Sequence, residues 1–385
     1  MLGFRFHNPT VVHFGQGSIA RLAEAVPPEA RVLLLFGGGS IKRNGVHAEV
    51  RAALEGRHVV EFGGIEPNPV YETIMRAAAL ARSERVDLIL AVGGGSVADA
   101  GKFLAAVTPL DPALDPWDHW IENGPPAQVL PVGVVLTLPA TGSESNPVSV
   151  ISHRARGLKL PFASEATRPQ FAVLDPSTMA SLDRRQRENG VVDAFTHVVE
   201  QYLTYDVTAP VQHGFSETLM RVLIEWGPKL VSENSDEARA TVMWAANQAL
   251  NGLIGAGVPQ DWSTHMIGHA MTAAYGVDHA RTLTAVMPSL LRFKRAEKRG
   301  MLLRYARKVW DIAEPDADAA IEDAIARTEA FFRQMGCPAR LAELAPVAVD
   351  PELIVRHLAE VGQTALGERN DIGLDEARRI LALAA

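Results

Sequence analysis

Over the first half of the chain, short apolar runs alternate with stretches of helical spacing. Arg31–Phe36 is a continuous apolar run stopped by Gly37-Gly38-Gly39-Ser40, and Val59–Phe62 is a second, shorter one. Tyr71–Ser83 has the spacing of a helix, Val86–Val92 reads as a strand, and Gly93-Gly94-Gly95-Ser96 separates that strand from a helical stretch over Val97–Ala106. Val134–Thr137, inside the apolar stretch Val129–Ala140, and Phe171–Leu174 add two more buried strands. Strands alternating with helices predict a parallel sheet covered on both faces. Such sheets take their ligands beyond the carboxyl ends of the strands, where these glycine turns fall. The character changes after Asp175-Pro176: from Arg184 to Ala385 the spacing is helical throughout, with connections at 252–259 and 314–316 and no strand. The expectation is an α/β domain over 1–182 and an all-helical domain over 183–385.

Bulk properties narrow the class. With 385 residues, 47% hydrophobic and 21% charged, the chain has apolar side chains enough for two cores and is no disordered polymer. A net charge of -8 argues against a nucleic-acid partner, because phosphate binding wants a basic surface. The basic stretch Arg292–Arg299 reads as a solvated helix face. A single cysteine, Cys337, suits a reducing cytoplasm, and Met1–His7 lacks the pattern of a signal peptide. Val129–Ala140 is too short to cross a bilayer. No membrane role is expected.

Candidate chemistry lies in two places. Glycine lets a backbone approach a ligand closely, and the helix start that follows offers free N–H groups to an anion. The turns Gly37–Ser40 and Gly93–Ser96, with Thr137-Leu-Pro-Ala-Thr141-Gly142-Ser143-Glu144 after a third strand, suit the phosphates of a nucleotide, although the spacing G-x-G-x-x-G is absent and either glycine turn alone reads equally as a tight turn. The second place is helical. Asp193 and His197 stand four apart among valines and phenylalanine, and His265 and His269 repeat that spacing, with His279 ten residues on. An Asp–His hydrogen bond would satisfy the first pair by itself. One carboxylate with three imidazoles makes a complete shell for a divalent transition metal, and zinc and ferrous iron both accept it.

The motifs Phe62-Gly-Gly-Ile-Glu-Pro-Asn68-Pro69, Gly93-Gly-Gly-Ser-Val-Ala-Asp99-Ala-Gly-Lys102, Leu138-Pro-Ala-Thr-Gly-Ser-Glu144-Ser, Asn189-Gly-Val-Val-Asp193 and His265-Met-Ile-Gly-His269 through His279 occur in one order along the chain. In them the sequence resembles the iron-containing (group III) alcohol dehydrogenases over its whole length, and within that family the NADPH-dependent aldehyde reductases and butanol dehydrogenases. The resemblance implies a dehydroquinate synthase-like, Rossmann-like α/β domain that binds a dinucleotide, followed by a helical metal-binding domain. It places the metal on Asp193, His197, His265 and His279. Nucleotide contacts fall on Gly37, Gly38, Ser40, Asn68, Gly94, Gly95, Ser96, Asp99, Thr137 and Thr141, with Lys159 toward a ribose. His269 matches a residue near the nicotinamide and is the candidate for proton relay. Relatives that prefer NAD often carry an aspartate where Gly37 stands, so its absence favours NADP(H) over NAD(H); Glu61, which in an ordinary dinucleotide fold could bind ribose hydroxyls, reads as a surface charge.

The function implied is hydride transfer between NADP(H) and a small aldehyde or primary alcohol, with Zn or Fe polarising the oxygen, in a cytoplasmic homodimer. A polyol dehydrogenase of glycerol type is the neighbouring alternative. A cyclising lyase resembling dehydroquinate synthase would need basic residues for a phosphorylated substrate, and few stand near these motifs.

Overall fold

The computed structural model describes Met1–Ala385. It contains two compact units, one of His7–Leu182 and one of Asp183–Ala385 together with Met1–Phe6. The first six residues therefore leave the α/β domain in which the sequence reading put them. Their backbone is taken up by the helical unit, where the Leu2 N–H donates to Gly257 O at 2.9 Å.

The α/β unit runs β1 (Val11–Phe14), α1 (Leu22–Ala25), β2 (Arg31–Phe36), α2 (Ser40–Arg43), α3 (Val46–Ala53), β3 (His58–Phe62), α4 (Tyr71–Ser83), β4 (Leu88–Gly94), α5 (Gly95–Val107), α6 (Pro116–Asn123), β5 (Val132–Leu138), β6 (Val148–His153), β7 (Leu158–Ala163) and β8 (Phe171–Leu174). Six strands form one sheet in the order β1-β8-β5-β4-β2-β3, every pair parallel. Period-two alternation along β2 sends Leu33 and Leu35 to a core shared with α4 and α5, and Val32, Leu34 and Phe36 to one shared with α1 and α3. After β3 the chain crosses back to lay β4 on the far side of β2, so the strand order reverses at the β2–β4 pair. That is where an open parallel sheet offers a crevice.

Three strands had no signature in the sequence. β1 is a four-residue edge strand with no position fully buried. β6 and β7 pair antiparallel as a separate hairpin. Along β6 the buried positions are Ser149, Ile151 and His153, so the inward face is largely polar and apolar alternation is lost.

The helical unit holds α7 (Arg184–Tyr202), α8 (Pro210–Ser232), α9 (Asp236–Ala249), α10 (Ser263–Tyr275), α11 (His279–Phe293), α12 (Arg299–Lys308), α13 (Ala317–Gln334), α14 (Pro351–Glu360) and α15 (Leu374–Ala384). Asp183 and Gln186 form a capping box that starts α7. Every residue from Gly190 to Tyr202 is buried, so α7 beyond its exposed first turn is a core helix enclosed on all sides. The basic stretch Arg292–Arg299 is not a solvated helix face. The helix ends at Phe293, and Lys294 and Lys298 turn inward and are buried against Asp371 and against Asp261 and Glu368. No helix of the chain is long and apolar enough to cross a membrane.

Candidate functional site

The helical unit brings a carboxylate and two imidazoles together. Four-residue spacing puts Asp193 and His197 on one face of α7, with Asp193 Oδ1 and His197 Nε2 3.9 Å apart. His265, in the first turn of α10, stacks on His197 with ring centroids 4.6 Å apart and planes at 27°. One ligand atom from each of Asp193, His197 and His265 lies within 4.8 Å of the other two, and all three residues are buried. A hard carboxylate oxygen with two borderline imidazole nitrogens is the donor set that zinc and ferrous iron take, so the residues present fit such an ion. His279, the first residue of α11, lies outside that group of three; its ring centroid is 5.3 Å from that of His265 and 4.8 Å from that of His269.

Neighbouring groups set where these helices begin. Asp278, just before α11, accepts from Arg185 Nε at 2.6 Å and Asn189 Nδ2 at 2.8 Å, tying the start of α11 to the start of α7. Burial raises the Asp278 carboxyl, but the hydrogen bonds from Arg185 and Asn189 outweigh it and hold the group below the usual range. At the start of α10 the chain turns sharply through Trp262, whose φ of 65° is in the left-handed region that a bulky residue rarely enters. Asp261 Oδ1 accepts the Ser263 N–H at 2.9 Å and braces that turn.

Glu200 and Lys298 were not recognised as site residues from sequence. Glu200 is on α7 three residues beyond His197, and its Oε1 accepts the Thr264 N–H at 2.6 Å while its Oε2 meets His265 Nδ1. Burial first, and then the charge of Asp261, push its carboxyl well above the usual range; a cation held by His265 acts in the opposite sense. Lys298 Nζ is within 2.7 Å of Asp261 Oδ2 and donates to both oxygens of Glu368 at 2.8 Å and to Leu203 O at 2.6 Å. Glu200 carried a signal, being an acid in an apolar helix in phase with Asp193 and His197. For Lys298, the surrounding run of cations hid it.

In the α/β unit, the turns after β2 and β4 lie side by side at the point where the strand order reverses. Gly39, with φ of 89°, turns the chain into α2 at Ser40. Gly94 ends β4 and Gly95 begins α5; a Cβ on Gly95 would come 2.8 Å from Thr141 Cγ2, so only glycine lets the Thr141 turn pack this closely. Asn68, at φ of 56°, donates its N–H to Ser96 Oγ at 3.3 Å, and its Oδ1 accepts from Lys159 Nζ at 2.8 Å. Asn68, Ser96 and Lys159, from three separate segments, thus meet. Thr137 is buried near the end of β5. Asp99 is anchored by two donors: Ser143 Oγ donates to one oxygen at 2.5 Å and the Val150 N–H to the other at 2.9 Å. Lys102, fully buried one turn on, donates to Asn146 Oδ1 at 3.1 Å and to Asn146 O at 3.2 Å, and burial pushes its ammonium down to about 8. Glu61 is a partly exposed charge with partners; Lys42 and His47 hold it at 3.2 and 3.0 Å, and although burial opposes them they keep its carboxyl below the usual range.

With this geometry in view, residues 9–176 match the family described as iron-containing alcohol dehydrogenase, and residues 189–371 match the C-terminal domain of the Fe-containing alcohol dehydrogenase family. The chain belongs to the iron-containing alcohol dehydrogenases. Among its relatives in the family, the NADPH-dependent aldehyde reductase YqhD of Escherichia coli (strain K12) is 51% identical over 387 residues, covering 100% of both chains. A crystal structure of E. coli K-12 YqhD superposes with a TM-score of 0.98 at 50% identity, over 100% of this chain and 99% of that one. The NADH-dependent butanol dehydrogenase A of Thermotoga maritima follows the same fold with a TM-score of 0.95 at 31% identity, again over 100% of this chain and 99% of that one. The expected class, an α/β domain with a parallel sheet and a helical C-terminal half, is the one that iron-containing alcohol dehydrogenases share with this chain.

Proposed function

We propose that this chain is a metal-dependent oxidoreductase that moves hydride between NADP(H) and a small aldehyde or primary alcohol. The observation that carries the reading is the convergence of Asp193, His197 and His265, in a chain 51% identical to an NADPH-dependent aldehyde reductase. When bound, a divalent zinc or iron ion supplies Lewis acidity to the substrate oxygen, and the dinucleotide supplies or takes the hydride.

The chain's own residues bind, orient and handle protons. Asp193, His197 and His265, joined by His279, hold the ion. Backbone N–H groups at Gly37, Gly38, Ser40, Gly94, Gly95 and Ser96 take the cofactor phosphates, with Asn68, Asp99, Thr137, Thr141 and Lys159 lining the rest of the dinucleotide. No carboxylate stands at Gly37 to repel a 2′-phosphate, and Glu61 is occupied by Lys42 and His47, which supports NADP(H) over NAD(H). His269, buried on α10 one turn beyond His265, delivers the proton to the product alkoxide. The enzyme works in the cytoplasm as a homodimer; the open edge of β1 and exposed Met1, Leu2, Phe4 and Phe6 support the homodimer.

Metal analysis of the purified protein, paired with oxidation of NADPH and of NADH across a panel of short aldehydes, tests the proposal. Stoichiometric zinc or iron with faster NADPH oxidation is expected. Full turnover after exhaustive chelation would overturn it.

A further inference from the structure

Glu200 meets two polar groups on adjacent residues. Its Oε1 accepts the Thr264 N–H at 2.6 Å and its Oε2 meets His265 Nδ1. Its own backbone is tied to the same segment, because the Asp261 N–H donates to Glu200 O at 2.9 Å. Lys298 holds that segment from behind by bridging Asp261 to Leu203 O at the end of α7. The Glu200 side chain, 3% exposed, is therefore held against the first turn of α10 with one oxygen on the Thr264 N–H and the other on His265 Nδ1.

We infer that Glu200 is the positioning residue that fixes the tautomer of His265: by taking the Nδ1–H, it leaves Nε2 as the lone-pair nitrogen that meets the ion. The inference rests on the metal reading above and adds the group that makes His265 a competent ligand. A neutral imidazole carries one proton, and only the unprotonated nitrogen can ligate. Thr264 offers a backbone N–H, which can only donate, so Glu200 Oε1 must accept. His265 can offer either a donor or an acceptor at Nδ1, and an ionised Glu200, which has no proton to give on its second oxygen, decides in favour of the donor. An amide in place of the carboxylate has one accepting oxygen. The Thr264 N–H claims it, the amide NH2 faces Nδ1, and His265 shifts its proton to Nε2. Substituting one atom, with no change of shape, therefore closes the ligating nitrogen.

The test uses the full-length protein loaded with zinc, as wild type and as Glu200→Gln. Zinc affinity is read by competition with a chromogenic chelator, and the histidine tautomer by long-range ¹H–¹⁵N correlation on ¹⁵N-histidine protein, with His265 assigned by its absence in His265→Gln. Glu200→Gln is expected to bind zinc about 10–100-fold more weakly, with secondary structure retained. Unchanged affinity in a folded Glu200→Gln protein would overturn the inference and leave the metal reading standing. A wild type that binds no zinc or iron would overturn the metal reading itself. Should Glu200→Gln fail to fold, the wild-type spectrum decides: protonated Nδ1 on His265 supports the inference, and protonated Nε2 in the zinc-loaded protein refutes it.

Discussion

Replacing Lys298 by Met removes the cation that pairs with two buried carboxylates, Asp261 and Glu368. The ammonium contacts Asp261 and both oxygens of Glu368, and its side chain is 1% exposed. Methionine fills similar volume, so the loss is electrostatic. Breaking a buried pair by removing one partner costs about 3–5 kcal/mol, because a charge is left without water or counter-ion. At about 1.4 kcal/mol per factor of ten, the population of the locally open state rises more than a hundredfold. The loss should depend on pH with a definite sign. Burial, and then repulsion from Asp261, already raise Glu368 above its ordinary 4.5 although Lys298 pulls it down, and without Lys298 it rises further. A carboxyl raised in the folded state is destabilising when ionised and is relieved by protonation. The penalty is therefore greatest above the folded value and shrinks as pH falls toward 4.5. Because two units need not unfold as one transition, hydrogen exchange by mass spectrometry on peptides covering 258–268 and 360–372, in graded urea, is the suitable measurement. The double variant K298M/E368Q should recover about half of the loss. A change below about 1 kcal/mol, or one that does not vary with pH, would refute the assignment of Lys298 as the counter-ion of this pair.

Other substitutions probe the chemistry directly. His265→Ala should lose bound metal and turnover together, and metal retained at full stoichiometry would remove it from the ligand set. His269→Ala should keep its metal while its kcat falls about 10²–10⁴-fold or its pH profile changes; a superimposable profile rules out the proton relay. A Cβ on Gly37 meets the backbone oxygen of Ile65 at 3.3 Å, so Gly37→Asp requires that carbonyl to give by a few tenths of an ångström. A carboxylate facing a doubly charged 2′-phosphate at about 6 Å costs roughly 1.4 kcal/mol in water, so KM for NADPH should rise about tenfold with little change for NADH. Equal effects on both coenzymes would count against Gly37 as the discriminating position.

Much of the architecture is legible in the chain because its signals are local. Arg31–Phe36 and Val86–Val92 are apolar runs ended by glycine, and a buried parallel strand needs nothing more to be read. The i, i+4 pairs Asp193/His197 and His265/His269 reveal shared helix faces for the same reason. What escaped depends on partners far away in sequence. The buried face of β6 carries Ser149 and His153, which no hydropathy pattern marks as inward. Lys298 sits in a run of basic residues that resembles a solvated surface, yet Asp261 and Glu368 draw it into the interior.

The sequence by itself determined the five apolar strands β2, β3, β4, β5 and β8, the glycine turns, and which residue types could ligate a cation, since each follows from neighbours within a few positions. Tertiary structure alone decided that His265 stacks on His197 across two helices, that Glu200 meets its Nδ1, that Asp99 accepts from Ser143 and Val150, and that Met1–Phe6 joins the helical unit. These contacts join residues tens to hundreds of positions apart. Only the packed backbone brings such groups within hydrogen-bonding distance, and no periodicity along the chain encodes which of them will meet.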